Sequence, residues 1–598
     1  MTAALRRAEE IAGSVALGAM VLLPLTEIVA RGVFGSGVPG SVTLVQHLTL
    51  WVAFLGAALA ARDGRLLSLA TGQFRPEGKI RDSANAFASS VAAAISAILC
   101  VAGIDLVMVE RMAGTAVTGW LAAWVAQLVL PLSFALIAVR LAWRAGDWRA
   151  RSFAFAAIGI GLLLGVYPEL LDAKPSWPGL LIVLTATIFG GPIFAALGGI
   201  AVLLFMSDGV PPAAVLAETY RLTVSPMLPA IPLFTLVGFF LAEGGASHRL
   251  LRFFRAFFGS VPGGTAVVCA VTCAFFTIPT GGSGVTILAL GVLLLHALQE
   301  DGYREKFSVG LLTASGSLGL LFPPALPLIL YGIVAQIPIE DLFIGGLIPG
   351  VLLVGLVAGW GMREGLVTGV SRQRFDLREA RGAIAEAKWE LLLPVVAVVA
   401  IFGGFATLVE AAALTATYSL VVQVFIYRDI KDRAHLLKVF RRCITLIGGV
   451  LLILGVAMGF SSYLVDAQVP TRALEWVQEH IESPLVFLLC LNVFLLLVGC
   501  VMDIFSATVV VVPLIVPMGM AFGIDPVHLG IIFVANLELG YLTPPVGLNL
   551  FLASYRFETP LLTIYRAAVP FLIILAIGVL LITYVPALTT GLLSLLRP

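Results

Sequence analysis

Two places in this chain set small polar residues beside helix breakers in strongly apolar surroundings. The first runs Thr280-Gly281-Gly282-Ser283-Gly284-Val285-Thr286 and is followed by Phe322-Pro323-Pro324-Ala325-Leu326-Pro327. The second runs Asp503-Ile504-Phe505-Ser506-Ala507-Thr508 and is followed by Leu542-Thr543-Pro544-Pro545-Val546-Gly547-Leu548-Asn549. The serines lie 223 positions apart (506 − 283) and the leading prolines 221 (544 − 323). A helix broken inside a membrane frees N–H groups and carbonyls that must find partners. Half-helix N-termini can hold an anion, while freed carbonyls with Ser, Thr or Asp oxygens can hold a hard cation such as sodium. Pro-Pro enforces the break, since neither residue donates a backbone hydrogen bond and the residue before each disfavours helix. Glycine and proline are common in membrane helices, so one such break would say little. Two matched pairs in corresponding halves are the sequence pointer to a transporter's binding site.

On this chemistry, Gly281, Ser283, Pro324, Thr508 and Asn549 are the candidates for holding a substrate. Gly282, Thr286, Pro323, Asp503, Ser506, Asn536, Thr543 and Pro544 are the candidates for holding sodium. Asp503 lies between apolar residues, where a bare carboxylate is costly and a cation or donor is expected; capping a helix that starts at Ile504 is the other reading. Asn536 and Asn549 also suit hydrogen bonding between helices. Glu410 and Glu538 are intramembrane carboxylates by position, equally suited to structural contacts. Cys269 and Cys273 are one helical turn apart, but no histidine or further cysteine joins them, so packing is expected. Gly281-Gly282-Ser283-Gly284 also fits the pattern around the serine of rhomboid-type intramembrane proteases. That chemistry needs a histidine base within reach, from His296 or His528.

These residues need a membrane-embedded scaffold. Of 598 residues, 60% are hydrophobic and 12% charged, with a mean hydropathy of +1.05; a soluble domain carries about 25% charged residues. The apolar blocks are continuous and of bilayer length, which excludes a β-barrel and makes an all-α polytopic protein. Counting half-length segments between Gly and Pro breaks gives roughly 15–16 crossings. Basic residues recur after every second crossing, at Arg6 and Arg7, then Arg62, Arg65, Arg75, Lys79 and Arg81, then Arg140, Arg144, Arg149 and Arg151. Excess positive charge marks the inner face, so residues 1–150 read as four helices with both ends inside. Residues 151–176 supply one further crossing, at 153–170, and a linker, so a large unit, 177–598, starts on the outer face. Basic stretches at 363–390 (with Arg372) and 428–442 read as inner connectors. No Walker A, HExxH or dinucleotide fingerprint is present, and nothing points to nucleic acid.

The run from Gly523-Ile524-Asp525-Pro526-Val527-His528-Leu529-Gly530 through Asn536 and Gly540 to Asn549 resembles the large membrane subunit of tripartite ATP-independent periplasmic (TRAP) transporters. Pro232-Leu233-Phe234 with Gly238, Gly263-Gly264, the Gly281–Thr286 break and Pro323-Pro324 resemble the same subunit, in order. Residues 1–150, including Trp51-Val52-Ala53-Phe54-Leu55-Gly56, are similar to the small four-helix subunit. The resemblance covers almost the whole chain and implies a fusion of the two. It also implies two inverted repeats containing helical hairpins and an elevator mechanism. Sodium entry would drive uptake, and a periplasmic substrate-binding protein would deliver a small carboxylate across a bacterial inner membrane, with lipid all round. Three departures stand out. Thr407-Leu408-Val409-Glu410-Ala411 replaces the family's Thr-Pro-Thr-Glu-Ala, Arg65 sits near a usual histidine, and the first break has fewer side-chain oxygens. A stand-alone sodium/dicarboxylate symporter would explain the repeats but leaves residues 1–150 without a role.

Overall fold

The computed structural model describes residues 3–68, 78–370, 374–544 and 546–596; Arg75, Arg372 and Pro545 lie outside the described residues. The described fold is helical apart from one short antiparallel hairpin, and it divides into two compact units. The first holds residues 1–233 and 440–473, the second 234–439 and 474–598.

In chain order the first unit begins with α1 (Ala3–Phe34), α2 (Ser41–Asp63) and α3 (Lys79–Ala113). The hairpin β1 (Ala116–Thr118) and β2 (Leu121–Ala122) follows, then α4 (Ala123–Gln127), α5 (Val129–Trp143) and α6 (Trp148–Val166). Next come α7 (Trp177–Ile188), α8 (Ile193–Ser207) and α9 (Ala213–Thr223). Helix α6 is the extra crossing anticipated after residue 150. It lies close along α3, because a Cβ on Gly161 would meet the Ala94 carbonyl at 2.2 Å and one on Gly165 would meet Val101 at 2.9 Å. Small residues four apart give membrane helices this approach. Charge is paired where the helix ends gather: Arg140, buried, takes Glu9 at 2.5 Å and donates to the Ala58 carbonyl at 2.6 Å. Arg62 takes Glu10 at 2.7 Å.

The chain passes between the units within α10 (Ala230–Glu243), and α11 (Ala246–Phe258) then turns away by 78°. The second unit continues with α12 (Gly264–Thr280), α13 (Ser283–Glu300), α14 (Glu305–Ser315), α15 (Leu326–Ala335) and α16 (Ile339–Thr368). Helices α17 (Leu377–Phe402) and α18 (Leu408–Val421) precede α19 (Arg433–Asp466) and α20 (Val469–His480), through which the chain leaves and re-enters the unit. It closes with α21 (Pro484–Val501), α22 (Ile504–Ala521), α23 (Pro526–Gly540), α24 (Leu548–Arg556), α25 (Leu561–Tyr584) and α26 (Ala587–Leu596).

The repeat read from two motifs extends to five consecutive helices. Helices α12 to α16 start at 264, 283, 305, 326 and 339, and α21 to α25 at 484, 504, 526, 548 and 561, so each mate lies 220 to 222 positions on. Packing is reciprocal: α13 lies on α24 and α22 on α15, while α14 lies on α25 and α23 on α16. Exchange of partners in this way is what a pseudo-two-fold axis relating the repeats produces.

The expected 15–16 crossings counted half-length segments as well as full spans. Among the described residues 12 helices are long and apolar enough to span, or up to 13 counting the bent pair α10–α11. Six shorter apolar helices in the described residues stand beside these spans, among them α15 and α23, which with α14 and α24 flank the two interruptions.

Inside the first unit α2 crosses α19 backbone to backbone. A Cβ on Gly56 would stand 2.2 Å from the Ile444 carbonyl oxygen, and one on Gly448 would stand 2.1 Å from Ala57 N. Neither backbone can yield without moving a whole helix. Gly56→Leu is expected to cost about 3 kcal/mol or more. Thermal unfolding in detergent checks it; a melting temperature unchanged from wild type would show that the crossing tolerates bulk.

Candidate functional site

The two predicted breaks each have two parts, a hairpin tip and an interrupted helix, and the second unit brings tip and interruption together in both repeats. In the first, α12 ends at Thr280 and Gly281 caps it at φ +62, its N–H reaching the Thr277 carbonyl. A side chain there would also run into Leu326, whose Cδ1 lies 2.3 Å from the Cβ position. Left-handed backbone and absent space both demand glycine. After Gly282, α13 begins at Ser283.

The matching interruption, residues 316–325, presses against this hairpin. A Cβ on Gly319 would meet the Ala274 carbonyl at 2.3 Å, and one on Gly316 would meet Ile287 at 2.6 Å and the Ser283 carbonyl at 3.5 Å. Thr277 Oγ1 lies 2.7 Å from Thr286 Oγ1 and 2.9 Å from the Gly316 carbonyl oxygen. Pro323 and Pro324 are both buried in the interruption. A third element comes from the other repeat: Asn549, at the start of α24, donates through Nδ2 to the Thr313 carbonyl at 3.2 Å and to Ser317 Oγ at 3.3 Å. Around this point Ser283 Oγ, Ser315 Oγ and Asn549 Oδ1 are buried without a hydrogen-bond partner. An unsatisfied buried polar atom costs about 1–3 kcal/mol, so several gathered at one break call for a ligand or ordered water.

In the second repeat the tip is Met502-Asp503. Asp503 caps α22, its Oδ2 accepting from Phe505 N at 3.0 Å and Ser506 N at 3.1 Å. Its Oδ1 accepts from Ser506 Oγ at 2.5 Å. Tyr541, the first residue of the interruption, accepts from Ile504 N–H at 2.8 Å, and Gly547 N donates to the Cys500 carbonyl at 3.1 Å. Thr543 hydrogen-bonds back to Leu539 at 3.0 Å; Thr543 is half-buried and Pro544 exposed, unlike their buried counterparts at Pro323 and Pro324.

Not every candidate joins these clusters. Thr508 is buried and turns its hydroxyl into its own helix, onto the Ile504 carbonyl at 2.6 Å. Asn536 donates to Asn492 Oδ1 at 2.6 Å and Ile532 O at 2.9 Å. Thr583 Oγ1 also donates to Asn492 Oδ1, at 3.1 Å. That is a polar tie between α21, α23 and α25, the interhelical alternative. Tyr541, Thr277 and Ser317 were not singled out from sequence. Tyr541 stood in the quoted motif, whereas a lone Thr or Ser in an apolar helix gives no signal.

Glu410 has a structural role. Thr407 Oγ1 accepts from Glu410 N at 3.3 Å and Glu410 Oε2 accepts from Thr407 N at 2.7 Å, a capping box that starts α18. The signature Thr-x-x-Glu ahead of an apolar run was available in the sequence. Glu410→Ala keeps only the Thr407 half of the box and is expected to cost about 1 kcal/mol of stability, read by thermal unfolding, while leaving uptake unchanged. Uptake lost in a variant of normal melting temperature would give Glu410 a role beyond the cap.

A serine protease is not built here. Ser283 Oγ has no hydrogen-bond partner; His296 is bonded to the Val292 carbonyl, and His528 to Thr589 and the Thr583 carbonyl.

Residues 179–588 match the family described as tripartite ATP-independent periplasmic transporter, DctM component. The chain belongs to the TRAP transporters. Residues 20–149 match the DctQ component of the same systems, so small and large subunits are fused, and α6 falls almost wholly between the two matches. The isethionate TRAP permease DctMQ of Oleidesulfovibrio alaskensis is 34% identical over 480 residues, 78% of this chain and 74% of that protein. The C4-dicarboxylate large permease DctM of Pseudomonas aeruginosa is 36% identical over 66% of this chain and 92% of its own length. The sialic acid permease SiaT of Haemophilus influenzae is 27% identical over 99% of this chain and all of its own. These relatives are transporters. As a TRAP permease, the chain is a multi-pass inner-membrane protein that takes up substrate with a periplasmic binding protein.

Proposed function

We propose that this TRAP permease couples the entry of sodium to uptake of a small carboxylate, and that the second unit carries both by an elevator movement. The observation that carries the reading is the pairing of each hairpin tip with an interrupted helix, at one offset in both repeats. At the first break the free oxygens of Ser283 and Asn549, with nearby Ser315, are the donor set a hard cation takes. At the second, Asp503 supplies the negative charge, with Ser506 beside it and Thr543 across the interruption. Gly282, Pro323 and Pro544 shape these two places through backbone, Thr286 joins the first through its hydroxyl, and Asn536 ties the helices behind the second. A carboxylate suits the half-helix N-termini at Ser283 and Leu548, neither of which carries a side-chain cap. Gly281 and Pro324 open the backbone there. The relatives named for isethionate, C4-dicarboxylates and sialic acid support an acidic cargo.

The proposal is tested with the purified chain in proteoliposomes, a panel of binding proteins and labelled carboxylates. Uptake is expected only where a binding protein loaded with one acid is present. Equal uptake with no binding protein would favour a stand-alone symporter and overturn the tripartite reading.

A further inference from the structure

Three stretches of chain join the two units, in α10, α19 and α20. Two of them enter the second unit side by side, through a cluster that the site above does not use. Just past the end of α10, Arg249 on α11 donates through Nε to Glu390 Oε1 of α17 at 2.7 Å and through Nη2 to Asp429 Oδ2 at 2.7 Å. Asp429 precedes α19 by four residues, and the same Oδ2 accepts from Gly245 N at 2.7 Å. The guanidinium lies over the Tyr427 ring, its Cζ 3.7 Å from the centroid. At the edge, Glu243 of α10 faces His435 and Lys438 of α19, each at 3.5 Å. Arg249 and Glu390 are both buried.

The backbone is shaped for this contact. A Cβ on Gly244 would stand 2.1 Å from Gln423 Oε1, and one on Gly245 would stand 2.9 Å from an Arg249 nitrogen. These two glycines form the break where the chain bends by 78°. Helix α20, which starts 223 positions after α11 (469 − 246), has no buried residue, and its Trp476 is 60% exposed. A planar guanidinium shared by two carboxylates on separate elements fixes their geometry as a flexible ammonium would not.

We propose that Arg249, with Glu390 and Asp429, stitches the ends of α10 and α19 into one rigid base, so that these two links move with the second unit as a single piece and the third, through α20, is left free. The inference rests on the proposed movement of that unit. Arg249 is then a positioning residue for transport, remote from cargo and ions.

The test uses the full chain with the exposed Cys490 replaced by Ser. The pair G245C and D429C removes the Asp429 arm, yet oxidation can rejoin the two positions, since a Cβ on Gly245 would lie 3.2 Å from Asp429 Oδ2. Movement is read from M502C at the second tip, labelled with a membrane-impermeant maleimide added to right-side-out or inside-out vesicles, with and without sodium. Without the pair, M502C should be labelled from both faces. With the pair reduced, its exchange between faces should slow by about tenfold or more, and oxidation should restore it to within about twofold. Oxidation that leaves exchange slow, or stops it, overturns the stitch while the background still alternates. A background labelled from one face only overturns the movement, and the stitch with it.

Discussion

Asp503→Ala is expected to weaken sodium activation of uptake severely while leaving a folded protein. The substitution removes the cap of α22 and the partner of Ser506, a loss of about 1 kcal/mol in stability. It also removes the one carboxylate at either tip. Separating a buried charge from its counter-ion costs about 3–5 kcal/mol, which at 1.4 kcal/mol per decade is a loss of sodium affinity on the order of 100-fold or more. Asp503→Asn separates the two contributions, since its amide oxygen can still accept from Phe505 and Ser506. Both variants should therefore need far more sodium for half-maximal uptake, with the asparagine form melting near wild type. Sodium titration of initial uptake rates decides it. Unchanged half-saturation in both variants would leave Asp503 as a cap alone.

The second large effect is expected at Asn549, which comes from one repeat and serves the interruption of the other. Asn549→Ala leaves the Thr313 carbonyl and Ser317 hydroxyl without their donor and deletes the free oxygen beside Ser283. Each buried group left unserved costs about 1–3 kcal/mol. A variant that still folds should show uptake reduced by about tenfold or more, through loss of the cross-repeat contact. Asn549→Asp keeps the oxygens but replaces the donor, so it should not restore the Thr313 contact. Wild-type uptake by Asn549→Ala, measured on protein of normal melting temperature, would reduce the residue to packing.

Much of this architecture was legible in sequence because breakers and polar residues repeat at one offset against an apolar background. That periodicity located both tips and both interruptions, while the spacing of basic residues marked the place of the extra helix α6. It could not say which repeat each side chain would serve. Asn549 follows the second Pro-Pro in sequence but reaches Ser317 in the first interruption, a consequence of the reciprocal packing of α13 on α24. Asn536 sits in the same quoted motif as Thr543 yet bonds to Asn492, because it lies within α23 against α21, whereas Thr543 lies past the end of α23 in the interruption. Glu410 was legible as a capping box, which decides between the two readings of it in favour of a structural contact. The Gly56–Gly448 crossing joins two of 61 glycines far apart in the chain, and no local pattern marks such a pair. Arg249 lay in an unremarkable amphipathic stretch, and only the fold brings Glu390 and Asp429 to it.

The central claim, that sodium entry drives uptake through the paired breaks, is tested most directly in proteoliposomes holding the full chain. A sodium gradient is imposed, directed inward, in the presence of the loaded binding protein, and compared with equal sodium on both sides and with an inward potassium gradient. Accumulation of the carboxylate above its external concentration is predicted for the sodium gradient alone. Accumulation that is equal with potassium, or that persists with sodium balanced, would contradict the account.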